Sequence, residues 1–166
     1  MAAYAKLFAT AFDAPVLCVR PAQVYGPGQG PGKLLPYVAT SVLRGEAPRV
    51  SSGRVRGDWV YVDDVVAGML AAARSAPDGA DLDLGTGVLR LSRGVVEGLV
   101  RALGSDIVPR WGALPDRPGE PERPADVAHA ARLIGWRSTV SLVEGLRRTA
   151  ATARQSAPLR VAARPV

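Results

Sequence analysis

Val16-Leu17-Cys18-Val19 is a short, unbroken apolar run, set between Pro15 and a loop crowded with turn formers. Apolar residues without alternation read as a strand buried on both faces, as strands of a parallel sheet are. The rest of the chain fits that frame. Residues 2–12 read as a helix with Lys6 on its polar face, ended by Pro15. Residues 33–44 read as a helix with Leu34, Leu35, Val38 and Val42 on one side and Pro36 in the first turn, where its absent N–H costs little. A short extended piece is expected at Val50, and a strand at Trp59-Val60-Tyr61-Val62. Asp63 or Asp64 is then expected to cap a helix with apolar positions Val65, Val66, Met69, Leu70 and Ala73. Asp81-Leu82-Asp83-Leu84 alternates with period two and runs into the turn Gly85-Thr86-Gly87. Ser92 suits the cap of a helix with stripe Val95, Val96, Leu99, Val100 and Leu103, stopped by Gly104. A brief strand at Ile107-Val108, a proline-rich loop over 112–124, a helix over 125–134 and a last helix to about Ala151 complete the order. Ser141 and Glu144 open that last helix as a capping box. Strands alternating with helices mean an α/β fold.

Composition narrows the function classes. At 166 residues with 48% apolar content the chain can bury a core of its own. Its apolar runs are far shorter than the roughly 20 residues that cross a bilayer, and no secretory signal is visible, so no membrane partner is expected. Cys18 is the only cysteine, which excludes an internal disulfide and points to a reducing cytoplasm. The net charge is +6, but Arg147, Arg148, Arg154, Arg160 and Arg164 carry +5 of it after residue 146, with no acid among them. Without that stretch the body is at +1. A basic tail from Ala153 onward, solvated and flexible, is therefore favoured over a nucleic-acid arm.

The motifs that would carry catalysis are not formed. Gly26-Pro27-Gly28-Gln29-Gly30-Pro31-Gly32-Lys33 stands between strand and helix, as a phosphate loop does, but its spacing fails. A Walker loop would need glycine at Pro27 and a hydroxyl residue at Leu34, and the dinucleotide pattern would place its third glycine on Pro31 or Lys33. A stiffened loop over a cleft is the better reading. A lysine four residues after a tyrosine would suit a base, since one helical turn puts the ammonium beside the phenol and lowers its pKa. Tyr4, Tyr25, Tyr37 and Tyr61 are followed at that spacing by Phe8, Gln29, Ser41 and Val65. His129 has no metal-ligand neighbour, the Asp63-Asp64 pair reads as a helix cap, and no metal site is expected. Arginines Arg54, Arg56 and Arg117, in glycine- and proline-rich loops, are left as candidates for a forked grip on phosphate oxygens.

A set of segments in fixed order resembles the extended short-chain dehydrogenase/reductase family, the NAD-dependent sugar-nucleotide epimerases and dehydratases. Arg20-Pro21-Ala22-Gln23-Val24-Tyr25-Gly26-Pro27-Gly28 is similar to its arginine-proline-x-asparagine-x-tyrosine-glycine-proline-glycine run. Leu34-Leu35-Pro36-Tyr37 resembles the start of its substrate-loop helix, and Gly53 through Asp64 its Arg-Asp-aromatic stretch. Leu84-Gly85-Thr86-Gly87, Arg117-Pro118-Gly119-Glu120, Leu133-Ile134-Gly135-Trp136 and Glu144-Gly145-Leu146 resemble its later turn and closing elements.

The resemblance covers residues 1–152 and implies the last strands of a doubly wound, Rossmann-like sheet plus a small substrate-binding lobe, with residues 153–166 as the flexible basic tail. It implies a nucleoside-diphosphate sugar as ligand. Gln23 would lie between sugar and nicotinamide, Lys33 would touch the nucleotide, and Arg117 would hold the diphosphate. The second diphosphate arginine is displaced: Gly57 occupies its register position, with Arg54 and Arg56 nearby. Gln23 stands where asparagine is usual. The family's glycine fingerprint and Tyr-x-x-x-Lys pair have no counterpart, and residues 1–13 resemble the helix just past that lysine. The expectation is a substrate-binding half without catalytic residues, binding no NAD(P) unless another chain or copy supplies the other half, with Gln23 then also touching the cofactor. The alternative is a non-catalytic binding or partner module acting through an exposed sheet edge, and oligomers are expected from that edge.

Overall fold

The computed structural model describes residues 2–117, 119 and 122–156. Six α-helices and five short strands alternate along them. Helix α1 is Ala2–Phe12, strand β1 Cys18–Pro21 and strand β2 Gln23–Tyr25. Helix α2 is Leu34–Leu43, β3 Arg56–Tyr61 and α3 Val62–Ser75. Strand β4 is Asp81–Leu84, β5 Leu89–Leu91 and α4 Ser92–Ala102. Helices α5 (Val127–Ile134) and α6 (Leu142–Ser156) follow.

Two small sheets result. In one, β1 and β4 run parallel with Cys18 opposite Asp81 and Pro21 opposite Leu84. In the other, β2 and β3 run parallel with Gln23 opposite Trp59, and β5 lies antiparallel on the far side of β3 with Arg90 opposite Gly57. Side chains alternate faces along a strand, so the β2–β3 ribbon divides two cores. Tyr25, Trp59 and Tyr61 point into one, formed with α2, α4 and α6. Val24 and Val60 point into the other, where Val65, Leu82, Leu84, Ile134 and Trp136 meet. Tyr25 meets Trp59 and Tyr61 edge-on at centroid distances of 6.2 and 5.6 Å. Each fully buried Val or Leu in these cores contributes about 1.5–3 kcal/mol.

Several sequence expectations are corrected. The run at 16–19 forms a strand only from Cys18, and β1 is half-buried to exposed along its length because β4 alone pairs with it among the described residues. The apolar pattern records a strand suited to a second neighbour. Ile107-Val108 is no strand; Val108 is 73% exposed, and pairing occurs instead at the isolated Arg49–Arg110 bridge. Strands β2 and β5 have three residues each, too short to show a period. The last helix continues past Ala151 to Ser156, with Ala153 against the core and Arg154 Nη2 donating to the Ala102 carbonyl at 3.1 Å. Pro118, Glu120 and the tail from 157 lie outside the described residues.

The aspartate pair does not cap α3. That helix starts at Val62, and Asp64, 5% exposed, turns inward instead. Its carboxylate accepts from Thr139 N (3.0 Å), Thr139 Oγ1 (2.8 Å) and Val140 N (2.9 Å). A buried charge has to be satisfied in this way, and the donors lie 75 residues away, beyond the reach of a local capping rule. Glu144 likewise forms half of a capping box. Its amide donates to Ser141 Oγ at 3.3 Å, while its carboxylate takes Arg147 and Arg148, which hold its pKa down near about 2.

Tyr25 carries a pH dependence. Burial above all, then Tyr61 and Asp64, pushes its phenol up to about 12, against a smaller pull down from Arg90. The folded state therefore keeps a proton that the unfolded chain releases near pH about 10. This stability is complete below about pH 10 and declines as pH rises toward 12. The urea midpoint should fall over that window, and Tyr25→Phe should flatten the fall; an identical slope in the variant would refute the assignment.

Candidate functional site: a loop stapled along β3

Two carboxylates of the proline-rich segment after residue 111 bond to the backbone at Ser52 and at Arg56, the first residue of β3. Asp116 Oδ1 accepts from Ser52 N at 3.0 Å, and Glu122 Oε1 accepts from Arg56 N at 2.8 Å. The Ser52 side chain and amide, the largest influences, hold the Asp116 pKa below its usual range, and Arg54 adds to this. Arg117 lies between these two staples in sequence. Arg54, Arg56 and Arg117 are all exposed.

Asp58 anchors this arrangement from beneath. It is 3% exposed and its carboxylate accepts four hydrogen bonds. They come from Thr86 N (2.8 Å), Thr86 Oγ1 (2.6 Å), Gly87 N (2.9 Å) and Ala125 N (3.0 Å). Gly85 has to be glycine, because a Cβ there would lie 2.6 Å from Asp58 Oδ2 and 2.6 Å from the Ala125 Cβ. Asp83 repeats the device one strand away. Burial, the largest influence, raises its pKa, yet bonds from Arg123, the Asp126 amide and Arg20 together outweigh it and hold the carboxyl below its usual range. Asp58 and Asp83 thus fasten loops to the sheets, and Asp64 fastens residues 139–140 to α3.

Gln23 stands at the start of β2. Its side chain lies over Gly57: a Cβ built on Gly57 would overlap Gln23 Oε1 and lie 3.2 Å from Trp59 Nε1. Lys33 stands apart from this cluster. It precedes α2 as its cap residue, extended, with its amide donating to the Gly30 carbonyl at 3.1 Å. The turn-rich loop before it lines a cavity of about 680 Å³ closed by α2 and α6, and none of the five expected site residues lines that cavity. Pro27 and Pro31 supply no N–H to that lining. Among the described residues no group of three or more His, Cys, Asp or Glu side chains is placed to hold a metal ion, and no helix is long and apolar enough to cross a membrane.

A family profile described as "NAD dependent epimerase/dehydratase family" matches residues 1–85, just over half of the 166. The chain belongs to the NAD-dependent epimerase/dehydratase family. A UDP-glucose 4-epimerase of Mycolicibacterium smegmatis is 29% identical over 151 residues, which is 88% of this chain and 48% of that protein. A dTDP-glucose 4,6-dehydratase of Streptomyces griseus is 33% identical over 132 residues, 76% of this chain and 39% of that protein. The fold is similar to a UDP-glucose 4-epimerase from Thermotoga maritima crystallised with UDP-glucose (TM-score 0.85, 30% identity, 93% of this chain, 50% of that one). It is also similar to the dTDP-glucose 4,6-dehydratase DesIV from Streptomyces venezuelae with NAD and TYD bound (TM-score 0.83, 28% identity, 93% and 48%). This epimerase/dehydratase chain spans about half the length of the relatives it matches. Its two small sheets are accordingly part of a Rossmann-type α/β architecture.

The sequence pointed to the arginines but not to the carboxylates that set them. One signal for Asp58 was present: an acid directly before the apolar run Trp59-Val60-Tyr61-Val62, with a turn of free amides at Gly85-Thr86-Gly87 to satisfy it.

Proposed function

We propose that these residues are the substrate-gripping half of an NAD-dependent nucleotide-sugar epimerase or dehydratase of the cytoplasm. The observation that carries the reading is that Asp116 and Glu122, on either side of Arg117 in sequence, bond to the backbone at Ser52 and Arg56, on either side of Arg54. A guanidinium fork suits bidentate contact with the oxygens of a diphosphate. Lys33, at the start of α2, is assigned to the nucleotide. NAD(P) supplies hydride transfer in such enzymes; here only Gln23 is assigned to touch it, and the chain alone binds none.

Calorimetric titration with a UDP- or dTDP-sugar tests this. Saturable binding is expected, and Arg117→Ala should weaken it by about 1.5–3 kcal/mol, the scale of a charged hydrogen bond. Unchanged affinity would remove Arg117 from the site. NAD added to the purified chain should give neither heat nor turnover of the sugar; conversion would reject the half-site reading outright.

A second reading, a partner or regulatory module, is favoured by the open side of β1 and by Tyr4, Leu7, Phe8 and Phe12 exposed on α1. It makes self-association or capture of a companion chain the primary role. Sedimentation decides it: a clean monomer across the accessible concentration range counts against this reading.

A further inference from the structure

Among the described residues, one buried side-chain polar atom has no hydrogen-bond partner: Trp59 Nε1. Trp59 is 5% exposed, and an indole N–H can only donate. Buried donors are nearly always satisfied, so an orphan at a binding edge asks for an acceptor from elsewhere. The atom borders the space over Gly57, 3.2 Å from where a Cβ would stand, a space the Gln23 side-chain oxygen occupies on its flexible stem.

Arg90 flanks this notch. It is the register partner of Gly57 on the antiparallel strand β5, and directly opposed residues share a sheet face. Gln23 and Tyr25 of β2 and Trp59 of β3 lie on that face. Arg90 is exposed and near enough to draw on the Tyr25 phenol, and it forms no salt bridge with a carboxylate of the described residues.

We propose that the Trp59 N–H and the Arg90 guanidinium together grip a diphosphate oxygen that enters the notch over Gly57. The inference rests on the nucleotide-sugar reading above and adds two residues to it. A side chain at position 57 would fill the notch from β3; here the positive charge arrives from the neighbouring strand. Gln23, whose amide oxygen fills that space in the structure, swings on its flexible stem to admit the ligand and presents its NH₂ to the same oxygens. Two donors, one of them charged, favour an anionic acceptor, which matches a nucleoside diphosphate better than the hydroxyls of a free sugar.

The test uses the whole 166-residue chain labelled with ¹⁵N. Its three tryptophans give indole resonances, of which that of Trp59 is identified by its loss in Trp59→Phe. UDP, dTDP and inorganic pyrophosphate are titrated separately. The Trp59 resonance should move saturably with each, while that of Trp136, already bonded to the Asp64 carbonyl at 3.0 Å, should stay. Arg90→Gln should raise Kd about tenfold or more, the scale of one charged hydrogen bond. Adding Gly57→Arg to Arg90→Gln should recover most of the affinity, which a merely structural role for Arg90 would not do. If the nucleotides bind while the Trp59 resonance stays still and Arg90→Gln keeps the wild-type Kd, the proposal is overturned and the nucleotide-sugar reading survives. If no resonance responds to any nucleotide, that reading falls and this one with it. Arg90 is on the surface, so its variants decide the matter even where Trp59→Phe fails to fold.

Discussion

Replacing Asp58 with alanine should destabilise the fold by about 3–5 kcal/mol, because a buried, fully paired carboxylate would leave its four donors behind. Those donors belong to the turn after β4 and to the segment leading into α5. Water can reach part of that region, which keeps the cost below the sum of four separate orphans. Against a typical total of about 5–15 kcal/mol, the loss is a third or more of the stability. Asp58→Asn keeps the shape and some of the acceptors and should cost less. Urea denaturation read by circular dichroism measures both. A shift under about 1 kcal/mol for the alanine variant would show that the carboxylate is not the anchor described here.

Trp136→Ala should cost a similar amount, about 3–5 kcal/mol, by cavity formation. Trp136 is 7% exposed, packs in the core shared by α3, β4 and α5, and closes on Gly68, where a Cβ would meet its ring at 3.0 Å. Its indole N–H also satisfies the Asp64 carbonyl at 3.0 Å. Trp136→Phe separates the two contributions: most of the packing remains and only the hydrogen bond is lost, so a cost of about 1 kcal/mol is expected. Equal losses in the two variants would mean that the hydrogen bond, not the ring volume, holds the segment.

The long helices were legible because their apolar stripes run for several turns. The stripe of α4 (Val95, Val96, Leu99, Val100) is buried as its spacing requires. Strand β4 was legible because alternation and a glycine turn coincide. What stayed hidden was whatever depends on a distant partner. Asp64 looks like a helix cap in sequence because Thr139 and Val140 are far along the chain. The exposure of β1 depends on how many strands lie beside it, which a four-residue apolar run does not state.

The site divides in the same way. Loop context and family resemblance single out Arg54, Arg56 and Arg117, but not the backbone bonds at Ser52 and Arg56 that hold the segment around Arg117. Arg90 was invisible, since only strand register sets it opposite Gly57. Trp59 read as core, and it is core, except for one nitrogen.

The open flank of β1 has a consequence for handling. Successive amides of a strand face opposite ways; that of Cys18 is tied to the Ala80 carbonyl and that of Ala22 to the Leu84 carbonyl. The intervening groups on the other flank are a ready template for any extended polypeptide, including another copy. Pairing of that kind is bimolecular, so its rate falls with dilution.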